Sequence, residues 1–339
     1  MTPAGWRERE VTMTRMKRIA AALLATVALA TAADGALAQE GAKIFVVGGK
    51  ADDPFWAIVK KGFDDATLVV ESHGGTAAYL QPQTYDRLGP DAANLVRTAM
   101  SQGATAIAVP DWVPEAQDEA IKAAVDAGIP VIVFNAGGYQ KAKELGALNY
   151  IGSDEYLAGK AGGENIANNG ATNVICVNTI PCAANLEARC KGVIDGVTGA
   201  GGSAAQLPLP PTAFGNPTAV AEAIKAQLLK NPAIDGVITI SAGDADSAAN
   251  GIMQAGAPGR VKLGTFDMNQ TNLDRIKNGA QLFSIDQQPY LQGFLAVSLL
   301  DSHVNFGTEL PTKPVMTGPA IVDASNVDQT LAGVKLGAR

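Results

Sequence analysis

Short apolar runs alternate with longer amphipathic segments through the first part of the chain. The runs have the length of buried strands, and the segments between them have the periodicity of helices. The predicted strands are Lys43–Gly48, Ala77–Leu80, Thr105–Val109 and Pro130–Phe134, and the predicted helices are Pro54–Ser72, Asp86–Ser101 and Pro114–Asp126. Such a βαβ series predicts a parallel sheet with helices on both faces.

The same alternation starts again in the second half, which predicts a second doubly wound α/β unit. Its predicted strands are Asn173–Val177, Gly236–Ile240, Val261–Gly264 and Gln281–Ile285, and its helices lie near Asn185–Thr198, Pro217–Leu229, Asp244–Ala255 and Asn269–Lys277. A final helix is predicted from Pro289 to about Ser302, with a last strand near Ala320–Asp323 after a proline-rich tail.

The N-terminus has the pattern of a signal peptide. Basic residues from Arg15 to Arg18 precede the apolar run Ile19–Ala33, and a small-x-small sequence ends at Ala38. We predict that residues 1–38 are cleaved near Ala38 and that the chain is exported. A buried or anchoring N-terminal helix is the alternative.

Charge argues against a nucleic-acid partner. The chain has a formal net charge of −7, and the predicted signal peptide contains five basic and three acidic residues, which leaves −9 for the mature chain. Phosphate backbones require a basic surface. Because about 300 residues exceed what one core usually serves, we expect two domains.

Three cysteines lie close together in a chain bound for an oxidising compartment. Cys176 lies in an apolar run and is predicted to be a buried small hydrophobe, whereas Cys182 and Cys190 could close a short disulfide or remain free thiols. Zinc is disfavoured because the spacing lacks paired C-x-x-C motifs.

Catalytic signatures are largely absent. Gly48-Gly49-Lys50 follows the first strand but lacks the phosphate-loop spacing, and the chain has only two histidines and no G-x-S-x-G elbow. We therefore expect a protein that is not an enzyme and that needs no cofactor or metal.

Polar and aromatic residues cluster at the carboxyl ends of the predicted strands, where parallel α/β sheets bind ligands. These residues are Asp53, Phe55, Trp56, Asp111, Trp112, Asn135, Ser241, Asp244, Asp267 and Gln287. Arg189 lies early in the first predicted helix of the second half. Flat rings cover the apolar faces of a pyranose, and planar polar groups bind its hydroxyls. Several have a structural alternative: Phe55 and Trp56 could pack a helix start, Arg189 could be solvated, and Asp111 is as readily a helix cap.

At these residues the chain resembles the type I periplasmic sugar-binding proteins of ABC transporters, and particularly the ribose-binding group. The resemblance extends over residues 42–323. It is carried by Asp52–Trp56, Gly128–Ile132, Ile151–Gly159, Arg189 with Gly192, Phe266-Asp267 and Ile285–Pro289.

The resemblance implies two doubly wound parallel-sheet lobes joined by three crossover strands, with the solute between them. The N-terminal lobe would comprise residues 42–136 and 288–313, and the C-terminal lobe residues 137–287 and 314–339. By matching position, Phe55, Trp56 and Phe214 are implied to stack on sugar rings. Arg189, Asp267 and Gln287 are implied to bind hydroxyls.

The chain departs from the ribose group at three of these places. Asp53 and Ser241 each stand where Asn is usual, and Asn135-Ala136 replaces an adjacent Asp-Arg pair. The loss of this charged pair fits a ligand other than ribose, such as a different pentose, a hexose, a linear polyol or a less polar ligand.

We therefore expect a monomeric periplasmic solute-binding protein that delivers a small carbohydrate or polyol to an ABC transporter permease by hinge closure. A sensor component that presents the bound ligand to a chemoreceptor or kinase is the alternative. A transcription regulator of the same fold would need a helix-turn-helix where the signal peptide stands, and a periplasmic hydrolase would need a nucleophile signature.

Overall fold

The computed structural model describes residues 41–337 and 339, so the predicted signal peptide lies outside the described residues. Within this part of the chain, strands and helices alternate almost throughout. In chain order the strands are β1 (Lys43–Val47), β2 (Thr76–Leu80), β3 (Ala106–Val109), β4 (Val131–Phe134), β5 (Asn149–Ser153), β6 (Asn173–Asn178), β7 (Ser203–Pro208), β8 (Gly236–Thr239), β9 (Lys262–Phe266), β10 (Phe283–Asp286), β11 (Val315–Gly318) and β12 (Ala320–Asp323).

The helices begin mostly at capping or proline residues, as their sequences predict. Asp53 accepts a hydrogen bond from the Phe55 amide at the first helix, and Ser241 caps another helix in the same manner. The helices are α1 (Pro54–Ser72), α2 (Leu88–Ser101), α3 (Pro114–Asp126), α4 (Gly138–Leu145), α5 (Glu155–Asn168), α6 (Ala184–Gly199), α7 (Pro217–Lys230), α8 (Ala242–Gln254), α9 (Gln270–Lys277), α10 (Pro289–Phe306) and α11 (Val327–Lys335).

The strands form two six-stranded sheets with matching orders. The first sheet runs β11-β5-β4-β3-β1-β2 with every neighbouring pair parallel. The second runs β12-β10-β9-β8-β6-β7, and only the β10–β12 pair is antiparallel. The strand order reverses beside the first strand of each sheet, which is where parallel α/β sheets hold ligands. The predicted α/β fold class is confirmed.

The chain crosses between the two sheets three times. It leaves β5 at Asp154 to form α5, which packs on α6 beside the second sheet. It leaves β10 after Asp286 to form α10, which packs on α1 beside the first sheet. Pro319 separates β11 in the first sheet from β12 in the second. The three predicted crossovers are therefore present.

Two strands lie elsewhere than the sequence-based lobe boundaries imply. A boundary after residue 136 assigns β5 to the C-terminal lobe, and a boundary after residue 313 does the same for β11. Both strands belong to the first sheet, because β5 pairs with β4 and β11 pairs with β5. The crossovers thus fall at Asp154 and Pro319, one strand further along the chain in each case.

Helices α5 and α6 pack at unusually short range because each has glycines at the contact. A Cβ atom at Gly159 would collide with the carbonyl oxygen of Arg189, and one at Gly192 would collide with that of Tyr156. Only glycine allows two helix backbones to approach this closely. The contact places the start of α5 directly beside the first turns of α6.

The disulfide joins Cys176 and Cys190, not Cys182 and Cys190. Cys176 lies on β6 and Cys190 on α6, and the helix packs back on its own sheet so that the two Cα atoms are 5.5 Å apart. Cys182 is exposed in the intervening loop with a free thiol, and its backbone has a positive φ of 73°. The expectation that Cys176 is only a buried hydrophobe was wrong.

Replacing both Cys176 and Cys190 by Ala should lower the free energy of unfolding by about 2–4 kcal/mol, because the bridge constrains the unfolded chain. Urea unfolding followed by circular dichroism measures this difference. Cys182→Ala serves as the control and should leave stability unchanged. Equal stability of the double variant and the parent protein would contradict the assigned bridge.

Candidate functional site: a cleft between the two sheets

The carboxyl ends of both sets of strands face one central cavity of about 60 Å³. Ten of the twelve residues predicted from sequence line it, and Asp111 and Asp244 do not. The ten are Asp53, Phe55, Trp56, Trp112, Asn135, Arg189, Phe214, Ser241, Asp267 and Gln287. We refer to this space as the central cavity.

The two lobes touch each other around this cavity. The amide of Ala184, at the start of α6, donates a hydrogen bond to the carbonyl oxygen of Trp112 over 2.7 Å. On another side, the Tyr85 and Phe214 rings meet edge to face with centroids 5.2 Å apart. These contacts join the two lobes across the cleft, so the structure represents a closed arrangement.

The first lobe contributes a wall of aromatic rings. Trp56 lies at its centre and is almost fully buried. Its ring meets Phe55, Trp112 and Phe134 edge to face, with centroid distances of 5.3, 5.4 and 5.9 Å. Edge-to-face packing holds each ring in one orientation, which gives the cavity a rigid apolar side.

Asp53 is held at the edge of this wall by two donors. One carboxylate oxygen accepts the Phe55 amide at 3.0 Å, and the other accepts the Tyr85 hydroxyl at 2.8 Å. Burial raises the pKa of Asp53 to about 6, although both hydrogen bonds oppose the shift. Tyr85 was missed in the sequence because it follows β2 in an irregular segment.

The second lobe contributes a chain of hydrogen-bonded polar side chains. Arg189 donates from Nε to Glu155 over 2.6 Å, from Nη1 to the Ile240 carbonyl over 3.1 Å and from Nη2 to Gln287 over 2.6 Å. Gln287 in turn donates to Asp267 over 2.5 Å. Every link of this polar chain is charge-assisted or joins planar groups, and such hydrogen bonds are the stronger ones.

Burial and neighbouring charges shift the pKa of each ionisable group in the polar chain. Burial raises the pKa of Asp267 to about 7, against the lowering effect of Arg189. Burial also raises the pKa of Glu155, which Arg189 again opposes. For Arg189 burial acts downward, but the Glu155 and Asp267 carboxylates outweigh it and the pKa rises. The guanidinium therefore stays charged, with Phe266 stacked 4.5 Å away.

Asn135 and Asp267 occupy equivalent positions in the two sheets. Each follows a buried Phe at the end of its strand, and the φ angles are 61° and 63°. Each backbone amide donates to the neighbouring strand, to Ile151 in one case and Ile285 in the other. Asn135 donates its side-chain amide to Gln292 of α10 over 3.2 Å.

Asp111 lies behind the cavity wall and has no donor for either of its carboxylate oxygens within the described residues. It is fully buried, and its nearest charged neighbours are Asp118 and Glu115 on α3 and Lys141 on α4. Burial, followed by the charge of Asp118, raises its pKa to about 7. The strand-end position was predicted correctly, but the side chain turns away and Trp112 lines the cavity in its place.

Glu155 and Asn185 also belong to the surroundings of the cavity and were not predicted. Asn185 lines it from the first turn of α6, and Glu155 holds Arg189 from the first turn of α5. The sequence signal that could have found Glu155 is its place in the Ile151–Gly159 motif, directly after a crossover. No cluster of metal-ligating side chains occurs among the described residues.

Two similar α/β lobes that meet over an aromatic and polar cavity define a hinged solute-binding protein. Residues 44–309 match the periplasmic binding protein domain family. A xylose/arabinose-binding protein of Sulfolobus acidocaldarius is 27% identical over 304 residues, which is 85% of this chain and 73% of that protein. The chain belongs to the periplasmic binding protein family, and the type I resemblance is confirmed.

Solved structures agree with this assignment. A carbohydrate transporter from Acidothermus cellulolyticus, solved in complex with myo-inositol, is 33% identical in sequence and superposes with a TM-score of 0.79. The match covers 88% of this chain and 99% of the transporter chain. A solute-binding protein from Agrobacterium vitis, bound with α-D-tagatopyranose, is 24% identical with a TM-score of 0.72 and covers 86% and 98%. The second likeness shows the fold alone.

Asp111→Asn should raise the free energy of unfolding by about 1–3 kcal/mol at pH 8, because the amide can donate to Asp118. The folded-state pKa of about 7 exceeds that of the unfolded chain, so ionisation destabilises the fold as the pH rises between about 4 and 7. The increase in the free energy of unfolding caused by Asp111→Asn should therefore become smaller towards pH 4.5. Urea unfolding at several pH values measures it.

Glu119→Gln is the control for the loss of one negative charge. Glu119 lies on the exposed face of α3, the helix that contains Asp118. A gain from Asp111→Asn that is independent of pH would contradict the assigned ionisation.

Proposed function

We propose that this protein binds a small carbohydrate or polyol in the periplasm and delivers it to an ABC transporter permease. The observation that carries the proposal is the pairing of a rigid aromatic wall on one lobe with a polar chain on the other. Aromatic faces pack on the C–H faces of a sugar, and fixed planar groups bind its hydroxyls. The named ligands of two relatives, xylose or arabinose in one case and myo-inositol in the other, support the same class.

The proposed binding residues are those that line the central cavity. Phe55, Trp56 and Phe214 would pack on the ring, and Arg189, Asp267 and Gln287 would bind hydroxyls. Asp53, Asn135 and Ser241 complete the set, and Asp111 is omitted from it. Trp112 and Tyr85 join it because they line the same space.

Hinge closure is the proposed mechanism. Each lobe alone offers only one part of the binding surface, so a solute that contacts both lobes favours the closed arrangement. Closure removes water and strengthens the hydrogen bonds around Arg189. Solute binding involves no covalent step, in keeping with a family of binding proteins.

Export follows from the signal peptide predicted over residues 1–38 and from the family. No helix within residues 41–337 and 339 has the length and apolar character needed to cross a bilayer. A sensor component that shows its liganded form to a chemoreceptor or kinase would use the same closure, so binding assays with a purified permease separate the two roles.

A panel of sugars and polyols tests the proposal through tryptophan fluorescence. The three tryptophans are Trp6, within the predicted signal peptide, and Trp56 and Trp112, which both line the central cavity. The emission of the mature protein therefore reports on this cavity alone. We expect a spectral shift and thermal stabilisation with the correct solute, and neither response across D-xylose, L-arabinose, D-glucose, D-tagatose and myo-inositol would reject the proposed ligand class.

Arg189→Ala should weaken binding of that solute by at least about tenfold, since hydrogen bonds to charged groups contribute about 1.5–3 kcal/mol. Isothermal titration calorimetry measures the change. Arg97→Ala, on the exposed face of α2, is the matched control and should bind as the parent does.

Because removal of Arg189 leaves Glu155 buried without its partner, Gln287→Ala provides a second variant that keeps the ion pair. We expect it to weaken binding as well. Parent-like affinity in both variants, with intact circular dichroism spectra, would show that the polar chain does not contact the solute.

A further inference from the structure

A second cavity of about 250 Å³ adjoins the central one, and neither Arg189 nor Gln287 is among its lining residues. We call it the outer cavity. The two share one layer of side chains, namely Asp53, Phe55, Phe214, Ser241 and Asp267. A ligand held in the central cavity therefore has the outer cavity as its direct extension.

The outer cavity has walls that the central cavity does not use. Ile58 of α1 lines it from the first lobe, and Val220 of α7 and Met268 after β9 line it from the second, so both lobes contribute apolar surface. Ser247 and Asp244, on α8, add polar groups and are almost fully buried. This space is thus built between the lobes and has its own combination of apolar and polar walls.

Asp244 is the residue that indicates what the outer cavity holds. Its carboxylate accepts the Thr179 hydroxyl at 2.9 Å, and its backbone amide donates to the Ser241 hydroxyl oxygen at 3.2 Å. A carboxylate has about four acceptor positions, so it retains capacity for further donors. An alkyl or aryl group would fill the space without supplying any, whereas a second sugar ring supplies hydroxyl donors and C–H faces together.

We propose that the outer cavity is a second subsite, which receives a sugar unit linked glycosidically to the one in the central cavity. The natural ligand is then a disaccharide or a glycosylated polyol. The inference rests on the proposed function and extends it from one ring to two. Burial raises the pKa of Asp244 to about 6, although the hydrogen bond from Thr179 opposes the shift.

Gly243 offers a way to fill the outer cavity selectively. It lines the outer cavity but not the central one, and it lies in the first turn of α8. A Cβ atom built there meets no heavy atom within 4 Å. Gly243→Phe should therefore be tolerated by the backbone while its ring occupies the space of the second sugar.

The matched control is Gly199→Phe. Gly199 is exposed at the end of α6 in the same lobe, and a Cβ atom there also meets nothing within 4 Å. Both variants exchange a helical glycine for the same residue, so a difference between them reports on the cavity.

Calorimetry on the mature parent protein compares D-xylose with xylobiose, D-glucose with cellobiose and maltose, and myo-inositol with galactinol. In at least one pair the two-ring compound should bind at least about tenfold more tightly than the single-ring compound. A tenfold difference in Kd is equivalent to about 1.4 kcal/mol of binding free energy. Gly243→Phe should remove that gain and leave single-ring affinity within about twofold, whereas Gly199→Phe should change neither.

Three outcomes would overturn the second subsite. In the first, no two-ring compound binds more tightly than its single-ring counterpart. In the second, Gly243→Phe weakens the binding of single-ring and two-ring compounds equally. In the third, 4-nitrophenyl glucoside binds more tightly than any disaccharide. In each case single-ring binding still upholds the proposed function. If no compound of either size binds, the proposed function fails together with the subsite.

Discussion

The buried ion pair between Glu155 and Arg189 constrains much of the cleft. Two charges leave water together at the least cost when their geometry is good and their remaining donors and acceptors are satisfied. The glycine contact between α5 and α6 supplies the geometry, because it brings the two helices to hydrogen-bonding range. The Ile240 carbonyl and Gln287 satisfy the outer nitrogens of the guanidinium, whereas the second carboxylate oxygen of Glu155, Oε1, has no hydrogen-bond partner among the described residues. The cavity thus has a fixed polar side before any solute arrives.

The two lobes have the same strand order but different chemistry at equivalent places. β4 and β9 are followed directly by Asn135 and Asp267, and both residues adopt the same left-handed backbone conformation. Asn135 donates its side-chain amide to Gln292 of α10, whereas Asp267 accepts from Gln287 and lines both cavities. One architecture used twice therefore produces one mainly aromatic side and one mainly polar side. This asymmetry suits a ring that has apolar faces and a polar rim.

The sequence predicted the sheets and most of the cavity because strand ends are set by hydrophobic patterning. It failed where the outcome depends on side-chain direction or on contacts distant in sequence. Asp111 ends a buried strand as expected, yet it turns towards α3 and leaves Trp112 in the cavity. The pairing of Cys176 with Cys190 requires the packing of α6 on β6, which periodicity does not encode. Strand β5 was missed because its sequence, with asparagine, glycine and serine, lacks the apolar composition of its neighbours.

Closure of the cleft has to be favourable only when a solute is present, and the buried carboxylates provide the physical reason. Asp53, Asp244 and Asp267 each have a raised pKa, with values of about 6, 6 and 7, because the protein removes them from water. In an empty closed cleft this loss of hydration opposes closure. A solute whose hydroxyls donate to these carboxylates replaces the lost water and removes the penalty. The same charges that disfavour an empty closed form thus give a hydroxyl-rich solute its differential affinity for the closed one.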